Sequence, residues 1–159
     1  MRLRSRTPED TARIAAALAG ALDASGGVVL LSGPLGAGKT QFVKGLAEGL
    51  GVPAEQVQSP TFVVAQELAL PSGGSLVHVD CYRVGSPAEL EDAGLLDWLA
   101  PGARVVVEWG ERVPDAWPAD RLEIAIERGE AARALSVRAC GPSSEALLVR
   151  WRTRLGTAA

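Results

Sequence analysis

Residues 30–42 read LLSGPLGAGKTQF, and Gly33 to Thr40 within them fit the pattern GxxxxGKT. The pattern has a physical reason. Backbone N–H groups can wrap around phosphate oxygens only where no side chain intrudes, so such a loop is rich in glycine. The helix that follows then aims its positive N-terminal end at the anion. The lysine reaches the β- and γ-phosphates, and the next hydroxyl binds Mg2+. Lys39 is therefore assigned to phosphate and Thr40 to Mg2+, with Gly33, Gly36, Ala37, Gly38 and Gln41 around the nucleotide. The flanks agree. Val28 to Leu31 is an apolar run of strand length, as expected of a strand buried on both faces. Phe42, Val43, Leu46, Ala47 and Leu50 make a helical stripe that Gly51 closes.

Working outward, Thr7-Pro8-Glu9-Asp10 reads as a helix start, with Thr7 capping, Pro8 in the first turn and Asp10 three residues after the cap. Ile14, Leu18 and Leu22 continue that helix to Gly26-Gly27. On the other side, strands are expected over Phe62 to Leu70 and Ser75 to Cys81, joined by the turn Pro71-Ser72-Gly73-Gly74. Ser86-Pro87-Ala88-Glu89 reads as a capping box that opens a helix toward Trp98. Further strands are expected over Arg104 to Trp109, Leu122 to Glu127 and Ala134 to Ala139, and a last helix from Pro142 toward Leu155. The expectation is an α/β fold of the P-loop NTPase kind. It has one domain over residues 1–159, and the hairpin makes its central sheet mixed.

A phosphate loop needs an acid at the end of a neighbouring strand, close to the Mg2+. Two candidates occur. Asp80 ends Leu76-Val77-His78-Val79-Asp80, and Glu108 ends Val105-Val106-Val107-Glu108. A carboxylate after a buried strand is costly unless it is hydrogen-bonded or beside a metal. Both Asp80 and Glu108 are candidate metal ligands and catalytic groups, beside Lys39. If the Asp80 strand runs parallel to the loop strand, the hairpin brings Thr61 to the phosphate side, where a threonine can sense the γ-phosphate as switch loops do. The chain contains no asparagine, so a guanine-reading NKxD segment is impossible and ATP is the expected nucleotide.

Bulk composition excludes several classes. A net charge of -3 does not suggest a protein that binds nucleic acid mainly by its own electrostatics, and no DNA partner is expected. Two cysteines are too few for a disulfide scaffold, and a single histidine rules out the usual zinc sets. Met1 to Pro8 is polar and Arg-rich, without a signal-peptide core, and no apolar run is long enough to span a bilayer. The expected setting is cytoplasmic, away from membranes.

GPLGAGKTQF, SPTFVV, VHVDCYRV, SPAELEDAGLLDWL and VVVEWGER follow one another in this order, from Thr7 to about Leu148 in all. Together they resemble the TsaE family, P-loop ATPases of bacterial tRNA threonylcarbamoyladenosine biosynthesis. The resemblance implies an ATPase that binds ATP with Mg2+, hydrolyses it slowly, and associates with a TsaD–TsaB complex. That complex moves a threonylcarbamoyl group onto N6 of an adenosine in tRNAs reading ANN codons. The ATPase is then needed for repeated turnover and is stimulated by the partners, and tRNA is met through the complex. It further implies that Thr40 and Glu108 ligate Mg2+, that Asp80 acts at the γ-phosphate or the metal, and that Thr61 is the switch threonine. Trp109 would shape the nucleotide site, Arg133 would lie near the nucleotide, and Asp10 near the base. Pro34, Gln41, Cys81 and Gly110 depart from the family's common residues, and Gln41 puts in doubt any second hydroxyl after the lysine.

Each accessory residue also has a plainer reading. Trp109, next to Glu108 in a strand, would point to the opposite sheet face and pack in the core. Tyr82-Arg83 could meet phosphate or only an ordinary ion pair, and His78 reads as a hydrogen-bonded structural histidine. Arg150, Arg152 and Arg154 read as a solvated final helix. The alternative function is a small-molecule kinase, which shares the loop. A kinase needs an arginine-bearing lid and an acceptor pocket, and this chain has little room for them. A non-catalytic module gated by nucleotide is the third reading, and Lys39, Thr40, Asp80 and Glu108 argue against it.

Overall fold

The computed structural model describes residues 1–22, 26–59 and 63–157. Seven strands occur among them: β1 (Arg2–Ser5), β2 (Gly27–Ser32), β3 (Ala65–Ala69), β4 (Ser75–Asp80), β5 (Arg104–Glu108), β6 (Leu122–Arg128) and β7 (Arg133–Ala139). They form one sheet in the order β1-β7-β6-β2-β5-β4-β3. The four central strands, β6, β2, β5 and β4, run parallel, and β3, β7 and β1 run antiparallel to their neighbours. The expected mixed sheet with its β3–β4 hairpin is therefore present. The expected start of β3 at Phe62 falls outside the described residues, and the strand as described begins at Ala65.

Helices cover both faces, and side-chain parity decides which residues meet them. Val29 and Leu31 of β2, Val106 of β5 and Leu76 of β4 point to one side. There they pack against α1 (Pro8–Ala19), α2 (Lys39–Gly49) and α5 (Pro142–Thr157). Leu30, Val105, Val107, Val77 and Val79 point to the other, against Leu90 of α3 (Pro87–Ala93) and Leu95 of α4 (Leu95–Trp98). By the same parity His78, Asp80 and Glu108 share the side of α2.

Three expectations need correction. Arg2–Ser5 is an edge strand on β7, where only a polar, Arg-rich stretch was expected. The helix from Pro87 toward Trp98 is broken at Gly94, whose φ of 116° ends α3. Ser86 does not cap α3 with its side chain; instead Glu89 reaches back to accept from the N–H of Gly85 at 3.1 Å. The Thr7 cap is as expected, its hydroxyl accepting from the N–H of Asp10 at 3.1 Å.

α2 is seated on α1 by missing side chains. A Cβ at Gly45 would overlap the backbone of Ala12, and one at Gly49 would stand 2.6 Å from the Cβ of Ala19. α1 is held in turn by Trp151 of α5, whose indole N–H donates to the carbonyl of Ile14 at 3.0 Å. Gly45→Ala is expected to lower the unfolding free energy by about 1–3 kcal/mol by urea titration, because the helices must part. The first turn of α5 is capped from outside by Asp120, which accepts from the N–H groups of Ser143 (2.8 Å) and Ser144 (2.9 Å). Burial pushes the pKa of this carboxyl up, but the backbone N–H groups and side chains of Ser144 and Ser143 together outweigh it and hold the pKa down at about 2, against 3.8. A folded-state pKa below the unfolded value gives stability that is complete above about pH 4 and fades as the pH falls toward about 2. Asp120→Ala should therefore cost about 1 kcal/mol near neutral pH, with wild type and variant converging by about pH 2 in thermal melts.

Candidate nucleotide site

The chain leaves β2 at Ser32 and turns through positive φ at Gly33 (140°), Gly36 (73°) and Gly38 (111°). At Gly33 the lack of a side chain is also a matter of space, since a Cβ there would overlap the carbonyl oxygen of Ile126. Gly38 is the N-cap of α2 and offers no side-chain cap, so the first-turn N–H groups remain available to an anion.

Lys39 is buried. Its ammonium donates to the carbonyls of Gly33 (2.6 Å) and Pro34 (3.0 Å) across the loop, and stands 3.8 Å from the ring centroid of Trp109. Burial pushes its pKa below the usual lysine value, while the carboxylates of Glu108, Glu111 and Asp80 push the other way. Thr40 is the second residue of α2. Its hydroxyl is 3.0 Å from Oε1 and 3.1 Å from Oε2 of Glu108. Glu108 is only 3% exposed, and β5 brings it level with Leu31 at the end of β2.

Asp80 stands level with Glu108 on the neighbouring strand and is half-buried. Its Oδ1 accepts from the N–H of Tyr82 at 2.9 Å, and its Oδ2 from the hydroxyl of Ser59 at 3.4 Å. Gly36, Gly38, Lys39, Thr40 and Gln41 line one cavity of about 530 Å3 together with Asp80, Glu108 and Trp109. A volume of this order suits a small-molecule ligand.

The hydroxyl of Thr40 and the carboxylate of Glu108 form a hard oxygen donor set beside the loop. Mg2+ takes one or two such side chains and completes its shell with phosphates and water. The described residues hold no cluster of three or more His, Cys, Asp or Glu. The donor set therefore fits a metal carried with a nucleotide, not a cage made wholly of protein.

The structure keeps part of the core reading of Trp109, which packs partly buried against the apolar cluster on the α3 side of the sheet, and adds a contact with the loop lysine. β5 ends at Glu108, and Trp109 turns into the left-handed region with φ of 60°, so strand parity does not govern it. Its ring meets Lys39 and lies 5.1 Å from the ring of Tyr82. The left-handed backbone of a bulky residue costs about 1–2 kcal/mol, and a partly desolvated cation–π contact returns about 0.5–2 kcal/mol.

Four expected residues stand off the cavity wall: Gly33, Ala37, Asp10 and Arg133. Asp10 accepts from the N–H of Arg6 at 3.0 Å and pairs with Arg13 at 2.9 Å, both beside its own helix. Arg133 lies over the loop from outside, its Nε 3.3 Å from where a Cβ of Gly38 would be, and that Nε is buried without a hydrogen-bond partner. Thr61 lies outside the described residues. Sequence reasoning missed Arg128, which pairs with Arg133 across the β6–β7 hairpin and brings Nη1 3.5 Å from the Cβ position of Gly36. The pairing of strands around ERGEAAR was the signal that could have found it. Sequence reasoning also missed Ser59.

Comparison with known proteins finds relatives over most of the chain. Residues 5–135 match the family described as threonylcarbamoyl adenosine biosynthesis protein TsaE. The chain is 47% identical over 116 residues to the tRNA threonylcarbamoyladenosine biosynthesis protein TsaE of Streptomyces coelicolor, covering 72% of this chain and 77% of the relative. It is 39% identical over 151 residues to the Bacillus subtilis protein of the same name, covering 92% and 90%. The crystal structure of YdiB from Bacillus subtilis superposes with a TM-score of 0.76 at 32% identity, over 96% of this chain and 94% of that one.

Of the four tryptophans, only Trp109 lines the cavity. A phosphate that draws the Lys39 ammonium off its ring should change its emission. ATP titration is expected to shift the intrinsic fluorescence of the wild type, and Trp109→Phe to abolish most of that shift. An unchanged shift in the variant would place the responding indole elsewhere.

Proposed function

The chain belongs to the TsaE family of tRNA threonylcarbamoyladenosine biosynthesis proteins, and we propose that it serves that pathway as a slow, Mg2+-dependent ATPase. The observation that carries this reading is the pair of contacts from Thr40 to Glu108, which tie the phosphate loop to the acid at the end of β5. Lys39 holds the β- and γ-phosphates, Thr40 and Glu108 hold Mg2+, and Asp80 acts at the γ-phosphate or the metal. Thr61 is the switch threonine, Gly33 to Gln41 cradle the phosphates, and Arg133 and Asp10 lie toward the rest of the nucleotide. Trp109 withholds or releases Lys39 according to whether phosphate is present.

The partner we propose is a TsaD–TsaB complex, which transfers the threonylcarbamoyl group and meets the tRNA itself. Hydrolysis resets that complex between turnovers, so the product of this protein is a change of state in its partner. No helix among the described residues is long and apolar enough to cross a membrane, and the proposed setting is the cytoplasm.

The test joins pathway and site. On depletion of the protein, N6-threonylcarbamoyladenosine in bulk tRNA, read by nucleoside mass spectrometry, is expected to fall. Wild type should restore it and Lys39→Ala should not. In phosphate-release assays with the partner complex, Lys39→Ala is expected to abolish turnover, and Glu108→Ala to keep some nucleotide binding while losing at least about 100-fold in rate. A normal level of the modified base after depletion would sink the pathway; equal turnover in all three proteins would sink the site.

A further inference from the structure

His78 is fully buried on β4, on the side of the sheet that faces α2. On that side its neighbours include the apolar core residues Leu76 and, on β5, Val106, while Asp80 follows two residues on and Gln66 is its partner on β3. An aliphatic side chain would fill the same space with no polar atom to satisfy. The imidazole does leave one unsatisfied, since Nδ1 is buried and has no hydrogen-bond partner. What the ring supplies that an aliphatic chain cannot is at its other nitrogen: Nε2 lies 2.9 Å from Oε1 of Glu108. A carboxylate accepts where it is ionised, and in the tautomer with the proton on Nε2 this nitrogen is the donor.

The two oxygens of Glu108 are thereby made unequal. The single hydroxyl proton of Thr40 is shared between the two oxygens, at 3.0 and 3.1 Å, and among the described residues Oε1 alone also meets His78 Nε2. We propose that His78 is a positioning residue for the Mg2+ of this site: by fixing Oε1 from inside the sheet, it turns Oε2 toward the cavity as the oxygen offered to the metal. Mg2+ demands near-octahedral geometry, so a carboxylate free to rotate binds it less well than one held in place. This inference rests on the nucleotide-site reading above and goes beyond it by assigning a role to a group that does not touch substrate.

The test separates metal affinity from folding and from nucleotide binding. Mn2+ is titrated by electron paramagnetic resonance in the presence of a non-hydrolysable ATP analogue, and affinity for the analogue is measured separately in EDTA. His78→Leu keeps the volume and removes the donor. It is expected to weaken Mn2+ binding about 10- to 100-fold while leaving metal-free affinity for the analogue unchanged. His78→Gln places an N–H donor near the position of Nε2 and should recover most of the loss. His78→Asn has a shorter reach, toward the position of Nδ1, and should not. If the Leu variant fails to fold by circular dichroism, the Gln and Asn variants carry the comparison. Equal Mn2+ affinity in wild type and a folded Leu variant, or Gln no better than Asn, would overturn the positioning role alone. A wild type that binds no analogue with or without metal would overturn the nucleotide-site reading, and this role with it.

Discussion

The register between β2 and β5 is the constraint on which the rest of the site depends. Parallel pairing sets Leu31 level with Glu108. The backbone of Glu108 and its neighbour is fixed from both sides: its carbonyl accepts from the N–H of Cys81, and the next residue donates to the carbonyl of Leu31. A slip of one residue would turn the carboxylate to the opposite face, away from α2. As paired, it meets the hydroxyl of Thr40 on the first turn of α2. A buried carboxylate is costly when alone. Here it is met by the Thr40 hydroxyl, an imidazole nitrogen of His78 and the nearby charge of Lys39.

Such a contact holds only if α2 cannot drift, and small residues provide that. Gly45 and Gly49 let α2 press directly on the backbone of α1, and Trp151 of α5 locks α1 by its bond to Ile14 and packs edge-on to Phe42 at 6.3 Å. The three helices thus form one layer against the sheet. The left-handed turns of the loop and the strained backbone at Trp109 sit on that layer, where surrounding packing can keep a locally unfavourable conformation.

The parts legible in the sequence are those whose physics is local. GxxxxGKT, the Thr7 cap and the helical stripe after Lys39 are short-range patterns, and each stands where the spacing put it. Asp80 and Glu108 were legible as strand-end charges that need partners; Glu108 finds one in Thr40 after the phosphate loop, and Asp80 finds its own in Tyr82 and Ser59. β1 was not, because four residues with two arginines carry too little alternation to stand out, and the strand exists only through its pairing with β7. The turn at Trp109 was missed because the left-handed conformation is ordinarily a glycine's, and Gly110 stands right beside it. The pairing of Arg128 with Arg133 depends on hairpin register, and the contact of His78 with Glu108 on two strands thirty residues apart.

The two acids differ in a way that bears on their work. Glu108 is buried, with both oxygens in contact with Thr40 and one also with His78. Asp80 is half-buried, and its carboxylate reaches the N–H of Tyr82 and the hydroxyl of Ser59, in the segment that leads toward β3. On the reading proposed above, holding a metal calls for a ligand that does not move, which favours Glu108. Responding to a γ-phosphate calls for a group less deeply buried, which favours Asp80. The sheet separates these demands over two adjacent strand ends, so one end of a small domain can both grip a nucleotide and register its state.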